Sequence, residues 1–415
     1  MKCSIVVIGD ELLIGQVTDT NSAWIARHLA PVGWWVQCVK VVADDYEEIR
    51  RAIDEALAHT NVVFTTGGLG PTKDDMTKQA LCDYFGGEMR YDEDTAANVL
   101  EIVHKRGLKL NEYTRLQAMV PSSCRVIQNQ VGTAPIMWFE KNNKVLVSLP
   151  GVPHETETMM EREVIPQLLS RFNSEEDIEH RTFIVIDYIE SALAMKLDDF
   201  EKSLPEYLHL AYLPEPGIMR LRLSGASRDS HRLHTDMDRF SQKLHEILGE
   251  AIICDDDKTL SVIIGEMLKQ HGLTVSSAES CTGGNIAHVI TQVAGSSEYF
   301  TGAIVSYSNE VKEHLLGVFN ADIMEHGVVS QPVVEQMVEG VSRQLNTDCA
   351  VSTSGIAGPG GAVPGKPVGT VWMAAKCKGV VVSQCLHLPG SRNRVINRAT
   401  TEALKMLYKL LRELK

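Results

Sequence analysis

The chain has 415 residues, 44% of them hydrophobic, with 40 basic against 54 acidic side chains and a formal net charge of −14. At roughly 100–200 residues per domain this predicts two to four packed domains, with three the central value, and excludes a mostly disordered chain. The acidic balance also argues against a nucleic-acid coat, because the phosphate backbone calls for a concentrated basic surface.

Residues 4–9, Ser-Ile-Val-Val-Ile-Gly, are an apolar run closed by a polar turn, as in a buried parallel strand. Residues 21–30 have helical spacing, and 34–42 read as a second strand. Residues 46–59 read as a helix with Ile49, Ile53, Ala56 and Leu57 on one face. Residues 62–66 make a third strand that runs into Gly67-Gly68-Leu69-Gly70-Pro71-Thr72. The repeated strand–helix order predicts a doubly wound parallel sheet with helices on both faces.

The polar cluster 173–179 reads as a linker. Beyond it come strand 182–189, helix 191–203, two strands around Glu215-Pro216-Gly217, helix 230–248 and strand 251–254. This βαββαβ order is that of a split βαβ sandwich. Its outline is that of small RNA-binding folds, but it has no Gly-x-x-Gly clamp and no basic-aromatic strand, so a spacer or assembly role is expected. Asp255-Asp256-Asp257-Lys258 marks the next boundary, followed by helix 260–271, strand 273–278, a glycine-containing turn and a helix through 290. The predicted fold is multidomain α/β: a doubly wound α/β domain (1–172), a small α+β domain (173–255) and an α/β domain (256–415). Residues 256–415 hold 14 acidic and 14 basic side chains, so the −14 falls on the first two domains, which hold 40 against 26.

No run approaches about 18 apolar residues, so no membrane span is expected. The first apolar run meets Asp10-Glu11 at once, so no signal peptide is expected either. Nine scattered cysteines without a Cys-x-x-Cys pair predict reduced thiols in a cytosolic setting. The fourteen histidines include no His-Glu-x-x-His, and no structural zinc site is expected.

Ala278-Glu279-Ser280-Cys281-Thr282-Gly283-Gly284 lies between a predicted strand and helix. A turn here exposes Ser280 at a strand end, and the glycines let backbone N–H groups approach an oxyanion or phosphate. Equally, Ser280 or Thr282 could simply cap the helix. Ser306-Tyr307-Ser308-Asn309-Glu310-Val311-Lys312 supplies a lysine. A buried lysine with a depressed pKa can serve as base to a serine, whereas a solvated one beside a Ser308 or Asn309 cap cannot. Residues 352–361, Ser-Thr-Ser-Gly-Ile-Ala-Gly-Pro-Gly-Gly, suit ligand contact or a surface loop. Pro389-Gly390-Ser391-Arg392, with Arg394 and Arg398, could grip a phosphate or form a solvated helix face.

In the first domain, Gly9-Asp10-Glu11, Asp19-Thr20-Asn21, Gly67 to Asp75, and Leu149-Pro150-Gly151-Val152-Pro153 follow strands. Glycines at strand ends can cradle a pyrophosphate, and carboxylates can hold a hard cation, in the crevice of an open sheet. Asp74 and Asp75 could equally complement a helix dipole.

In their joint order these segments resemble the CinA family, the competence- and damage-inducible proteins of bacteria. The resemblance implies a molybdopterin-binding-like N-terminal domain with ADP-ribose pyrophosphatase activity. It also implies a C-terminal nicotinamide mononucleotide (NMN) deamidase. Carried over by position, Ser280 is the nucleophile, Lys312 its base and Tyr307 an assistant. Glu279, Cys281, Thr282, Gly283, Gly284, Asn309, Ser354, Gly355 and Arg392 would surround the substrate. Ser354 stands where threonine is common, and Ser391 fills the middle of a Gly-[Asp/Asn]-Arg pattern. Gly9, Asp10, Glu11, Gly67, Gly68, Gly70, Thr72 and Asp75 would bind nucleotide, with Asp74 and Asp75 at a metal. The implied cofactors are none for deamidation, and a divalent cation (Mg, Mn, Co or Ni) with K+ for the pyrophosphatase. The implied setting is a cytoplasmic homodimer acting on NMN and ADP-ribose. A second reading is a pterin- or nucleotide-binding accessory protein with little catalysis, suggested by the first domain and the non-catalytic middle module.

Overall fold

The structure is a computed structural model and describes residues 1–72, 75–107, 109, 111–172 and 177–414. The chain divides into two compact units: Met1–His180 with Gly225–Asp236, and Arg181–Ser224 with Met237–Lys415. Among the described residues no helix is long and apolar enough to cross a membrane.

The first unit is built on a six-stranded sheet. Its strands are β1 (Lys2–Ile8), β2 (Trp35–Val42), β3 (Val62–Thr66), β4 (Arg125–Ile127), β5 (Ile136–Lys141) and β6 (Lys144–Leu149), in the order β2-β1-β3-β6-β5-β4. Strands β2, β1, β3 and β6 run parallel. Alternate side chains feed two cores: Ile5, Val7, Phe64 and Val147 enter one, while Val6, Ile8, Val63 and Leu146 enter the other. Burial on both faces explains the unbroken apolar runs, and it requires the helices that cover each face. One of these, α1 (Asn21–Leu29), follows β1. Another, α2 (Tyr46–His59), starts where the Asp45 carboxylate accepts from the amides of Glu47 and Glu48, each at 3.0 Å.

The sheet is not wholly parallel. β5 and β4 are antiparallel additions. The β5–β6 hairpin turns through Asn142 and Asn143, both at positive φ (53° and 61°), which matches a two-residue turn of the I′ class. This asparagine pair was the sequence sign of the hairpin.

The middle segment has the expected βαββαβ order: β7 (Asp177–Val185), α3 (Glu190–Lys202), β8 (Leu208–Glu215), β9 (Ile218–Ser227), α4 (Ser230–Leu248) and β10 (Ile252–Cys254). Its sheet order is β8-β9-β7-β10. The 173–176 part of the expected linker lies outside the described residues.

The C-terminal sheet holds β11 (Val275–Glu279), β12 (Phe300–Val305), β13 (Cys349–Gly355), β14 (Thr370–Cys377) and β15 (Val380–His387), in the order β12-β11-β13-β14-β15. The three strands β12, β11 and β13 are parallel, so their C-terminal ends share one edge. On one face α5 (Gln331–Leu345) packs Val334, Met337 and Val338 against Ala278, Ala350 and Ala374. On the opposite face the amphipathic α6 (Arg392–Arg412) packs Val395, Ala399, Ala403 and Leu407, an i, i+4 stripe, into the core.

Candidate active site

Strand register brings the C-terminal motifs together. Glu279 pairs with Val305 on one side and Thr353 on the other, so Ser280, Ser306 and Ser354 leave or close adjacent strands at one edge. The Ser280 amide donates to Thr353 O at 3.0 Å, and the Ser306 amide to Glu279 O at 2.8 Å. These bonds hold the Ser280 backbone rigidly beside the neighbouring strands.

Lys312 lies in the first turns of the helix Asn309–Leu316, capped by Ser308, whose hydroxyl accepts from Val311 N at 3.3 Å. The Ser308 cap of the sequence reading therefore coexists with a lysine that is not solvated. Lys312 is 0% exposed, and its Nζ lies 3.1 Å from Ser280 Oγ while donating to Ser306 O at 2.5 Å. Burial is the main cause that pushes the ammonium down from 10.5 to about 8. No carboxylate bonds to it among the described residues, so nothing offsets the desolvation by pairing. A strand-end hydroxyl and a readily deprotonated amine thus meet within hydrogen-bond reach.

Cys281, next to Ser280, is buried, and burial pushes its thiol up to about 12. It stays protonated at neutral pH, so it offers no thiolate.

Several neighbours use their polar groups within the fold. Glu279 is 0% exposed and accepts from the amides of Gly284 (2.9 Å), Ile286 (3.0 Å) and Ala287 (2.9 Å), and from the Ser277 hydroxyl at 3.1 Å. It neutralises the N-terminus of the helix Asn285–Thr291, so that end is closed to a ligand anion. The expectation that the Gly283 and Gly284 amides face an oxyanion or phosphate is therefore corrected. Gly284 N–H serves Glu279, and Gly283 N–H serves Ser280 O at 3.2 Å. Both glycines are instead required by φ, at 61° and 100°. The amides of Cys281 and Thr282 take no carbonyl or carboxylate acceptor among the described residues, and these remain available to an oxyanion.

Thr282 shares a 2.8 Å hydrogen bond with Thr353, both buried. Ser354 is 1% exposed and donates to Val328 O at 2.8 Å, so it shapes the wall and does not present its hydroxyl. Gly355 admits no side chain, because a Cβ would sit 2.7 Å from Val371 Cγ2 and 2.9 Å from Thr370 O. Asn309 is exposed at the helix start.

Tyr307 is exposed, and its hydroxyl accepts from Arg392 Nη2 at 3.0 Å while Arg392 Nη1 donates to Gly358 O at 2.8 Å. Arg392 borders a cleft of about 370 Å³ whose walls are glycines, Val328, Val329, Ile356, Ala357 and Val363. Its other charged lining residue is Lys366, which the sequence reading missed although it closes the glycine-rich stretch after Pro359. Arg398 does not line this cleft; it lines another, and its Nε donates to Glu402 at 2.9 Å.

In the first unit, a cleft of about 510 Å³ opens at the ends of β1, β3 and β6. It lies at β1 and β3, neighbouring strands whose following connections leave to opposite sides of the sheet, where open sheets place ligands. Gly9, Asp10, Glu11, Gly67, Gly68, Gly70 and Asp75 line it, but Thr72 does not. Gly67 can only be glycine: φ is 105° and a Cβ would lie 2.0 Å from Ile8 O. Asp75 accepts from Gly70 N at 2.8 Å, from Thr72 N at 2.9 Å and from the Thr72 hydroxyl, so it closes its own loop. Asp75 is one of the two expected metal ligands. Asp74, the other expected ligand, lies outside the described residues. Among the described residues no three His, Cys, Asp or Glu side chains converge to hold a metal.

Comparison with known proteins matches both halves. Residues 257–411 match the CinA C-terminal domain, and residues 4–170 match the probable molybdopterin binding domain. A CinA-like protein of Flavobacterium psychrophilum is 42% identical over 411 residues, covering 99% of this chain and 98% of that protein. One from Cytophaga hutchinsonii is 37% identical over 411 residues, covering 99% and 98%. Among solved structures, the competence/damage inducible protein CihA of Agrobacterium tumefaciens is 37% identical, covering 36% of this chain and 93% of that one, with a TM-score of 0.36. With relatives aligned from end to end and both domain models matched in order, the chain belongs to the CinA family.

Proposed function

We propose that the C-terminal domain hydrolyses the carboxamide of NMN to nicotinic acid mononucleotide and ammonia, with Ser280 as nucleophile and Lys312 as its base. The observation that carries this reading is a fully buried lysine without a carboxylate partner, 3.1 Å from a strand-end serine hydroxyl. Neutral Lys312 takes the Ser280 proton as Oγ attacks the carboxamide carbon. The amides of Cys281 and Thr282 meet the oxyanion that forms. Lys312 then gives its proton to the departing nitrogen, which leaves as ammonia. Water, deprotonated by Lys312, cleaves the acyl-serine by the reverse route and frees the carboxylate. Arg392 and Lys366, the charged residues of the cleft beside Gly355, would meet the nucleotide's phosphate, and Tyr307 accepts from the Arg392 guanidinium. The test is release of ammonia from NMN by the full chain. It should vanish in Ser280→Ala and in Lys312→Ala, and full activity in either would overturn the dyad.

For the first unit the proposal is binding and hydrolysis of ADP-ribose in the glycine-walled cleft. The described residues do not assemble a ligand set for the divalent cation that this activity implies, so no step through a metal is derived. An assay on ADP-ribose with and without Mg²⁺ or Mn²⁺ tests it: no turnover in any condition would leave the cleft a binding site only.

A further inference from the structure

The N-terminal cleft contains two side-chain amides outside the motif residues carried over from the family, Asn21 and Gln117, both lining it and both at least nine-tenths buried (6% and 3% exposed). A side-chain amide can be turned end for end unless its neighbours decide the matter. Here they decide it for both.

Asn21 opens α1, and its Nδ2 donates to Thr66 Oγ1 at 2.8 Å and to Gly151 O at 2.9 Å. The Thr66 hydroxyl spends its own proton on Pro150 O at 2.7 Å, so towards Asn21 it can only accept. A carbonyl such as Gly151 O also only accepts. The NH2 end of Asn21 must therefore face Thr66 and Gly151. Its Oδ1 is left buried without a partner. An orphaned acceptor inside a cleft is a cost to the free protein that a ligand donor removes.

Gln117 is fixed from behind. Lys78 is buried, and its Nζ donates to Gln117 O and to Gln117 Oε1, each at 3.0 Å. Burial pushes Lys78 down to about 8, which leaves it mostly protonated and acceptor-free at neutral pH. The oxygen of Gln117 must face this ammonium, so its NH2 is turned away from it, without a protein partner among the described residues. No sequence pattern flags Gln117; it stands alone between motifs.

The cleft's charge narrows what sits there. Its described ionisable lining residues are Asp10, Glu11, Asp19, Asp44, Asp75 and Glu155, with no lysine or arginine. These carboxylates favour donor-bearing, uncharged groups of a ligand as their neighbours.

We propose that Asn21 and Gln117 each read an uncharged polar group of the ligand, on a sugar diol or the edge of a base, with Asn21 Oδ1 accepting and Gln117 Nε2 donating. This deepens the nucleotide reading of the cleft and rests on it. The test is calorimetric titration of the full-length wild type, Asn21→Ala and Gln117→Glu. The probes are ADP-ribose, 2′,3′-dideoxy-AMP, which keeps the base without a diol, and ribose 5-phosphate, which keeps the diol without a base. Gln117→Glu retains the acceptor for Lys78 and leaves the Asn21 contacts untouched, so it reports even where Asn21→Ala disturbs the loops. Each variant should weaken ADP-ribose at least about fivefold, the value of one lost neutral hydrogen bond. The probe that lacks the recognised group should bind all three proteins alike, and that probe identifies the source. Unchanged ADP-ribose affinity in both variants, or equal weakening of every probe, overturns the proposal. Variant-sensitive binding without hydrolysis would remove the pyrophosphatase activity and leave the recognition standing. Absence of ADP-ribose binding to the wild type would end both.

Discussion

Lys312 offers the most quantitative test, because burial should leave a visible pH signature. With its pKa at about 8, about 9% of the side chain is neutral at pH 7; at the ordinary 10.5 the fraction would be about 0.03%. The buried site therefore holds about 300-fold more of the basic form than a solvated lysine would. The prediction is that kcat/KM for NMN rises about tenfold per pH unit below pH 8 and levels off above it. The same burial has a cost in stability. Below pH 8 the lysine is protonated in both folded and unfolded chains, and the penalty, up to about 3 kcal/mol, stands in full. Between pH 8 and 10.5 the unfolded chain holds the extra proton, so stability rises with pH, and above 10.5 the penalty is gone. Lys312→Met should thus abolish ammonia release yet melt at higher temperature than the wild type at pH 7, with the difference shrinking towards pH 10. The assays are a pH–rate profile and thermal unfolding at several pH values. A profile flat between pH 6 and 8, together with a Lys312→Met protein no more stable at pH 7, would refute the reasoning.

Other outcomes follow from the same geometry. Glu279→Gln turns an amide NH2 towards backbone donors, so it should lower stability by about 3 kcal/mol in chemical denaturation and reduce kcat by disturbing the Ser280 turn. Gly355→Ala forces a methyl group against Val371 and Thr370 O and should cost about 1–3 kcal/mol; an unchanged melting temperature would contradict the close packing. Gly67→Ala should abolish ADP-ribose binding while leaving NMN deamidation intact, which a calorimetric titration and the ammonia assay read separately. Lys366→Met should raise KM for NMN without lowering kcat and should leave KM for the unphosphorylated riboside unchanged, as a phosphate contact requires.

Much of the architecture was legible because local physics writes it into the chain. Runs such as residues 5–8 and 62–64 are apolar at every position, since alternate residues fill cores on both faces of the sheet. The βαββαβ order of the middle segment was readable from periodicity and from the Glu215-Pro216-Gly217 turn. The Asn142-Asn143 hairpin was written there too, but as a two-residue turn it was easily passed over in a chain of strand–helix repeats.

The roles of individual polar groups were decided by tertiary structure alone. Ser280, Lys312 and Ser354 stand far apart in sequence, and the sequence could propose that they meet only through motif order. The parallel register of β12, β11 and β13 sets their strand ends side by side, and burial then lowers the Lys312 pKa. Glu279 read as a substrate neighbour, and Asp75 as a ligand contact or a helix N-terminal residue. The hydrogen bonds they accept tie Glu279 to the start of the helix Asn285–Thr291 and Asp75 to its own loop. Gln117 and Lys366 carried no pattern at all, since a single polar side chain gains its meaning from the cleft that distant segments build around it. Sequence thus determined the elements, their order and the positions where side chains must be absent. The tertiary structure determined which of the remaining polar groups are spent on the fold and which are left facing a ligand, because hydrogen-bond capacity is finite and only packing shows where it is used.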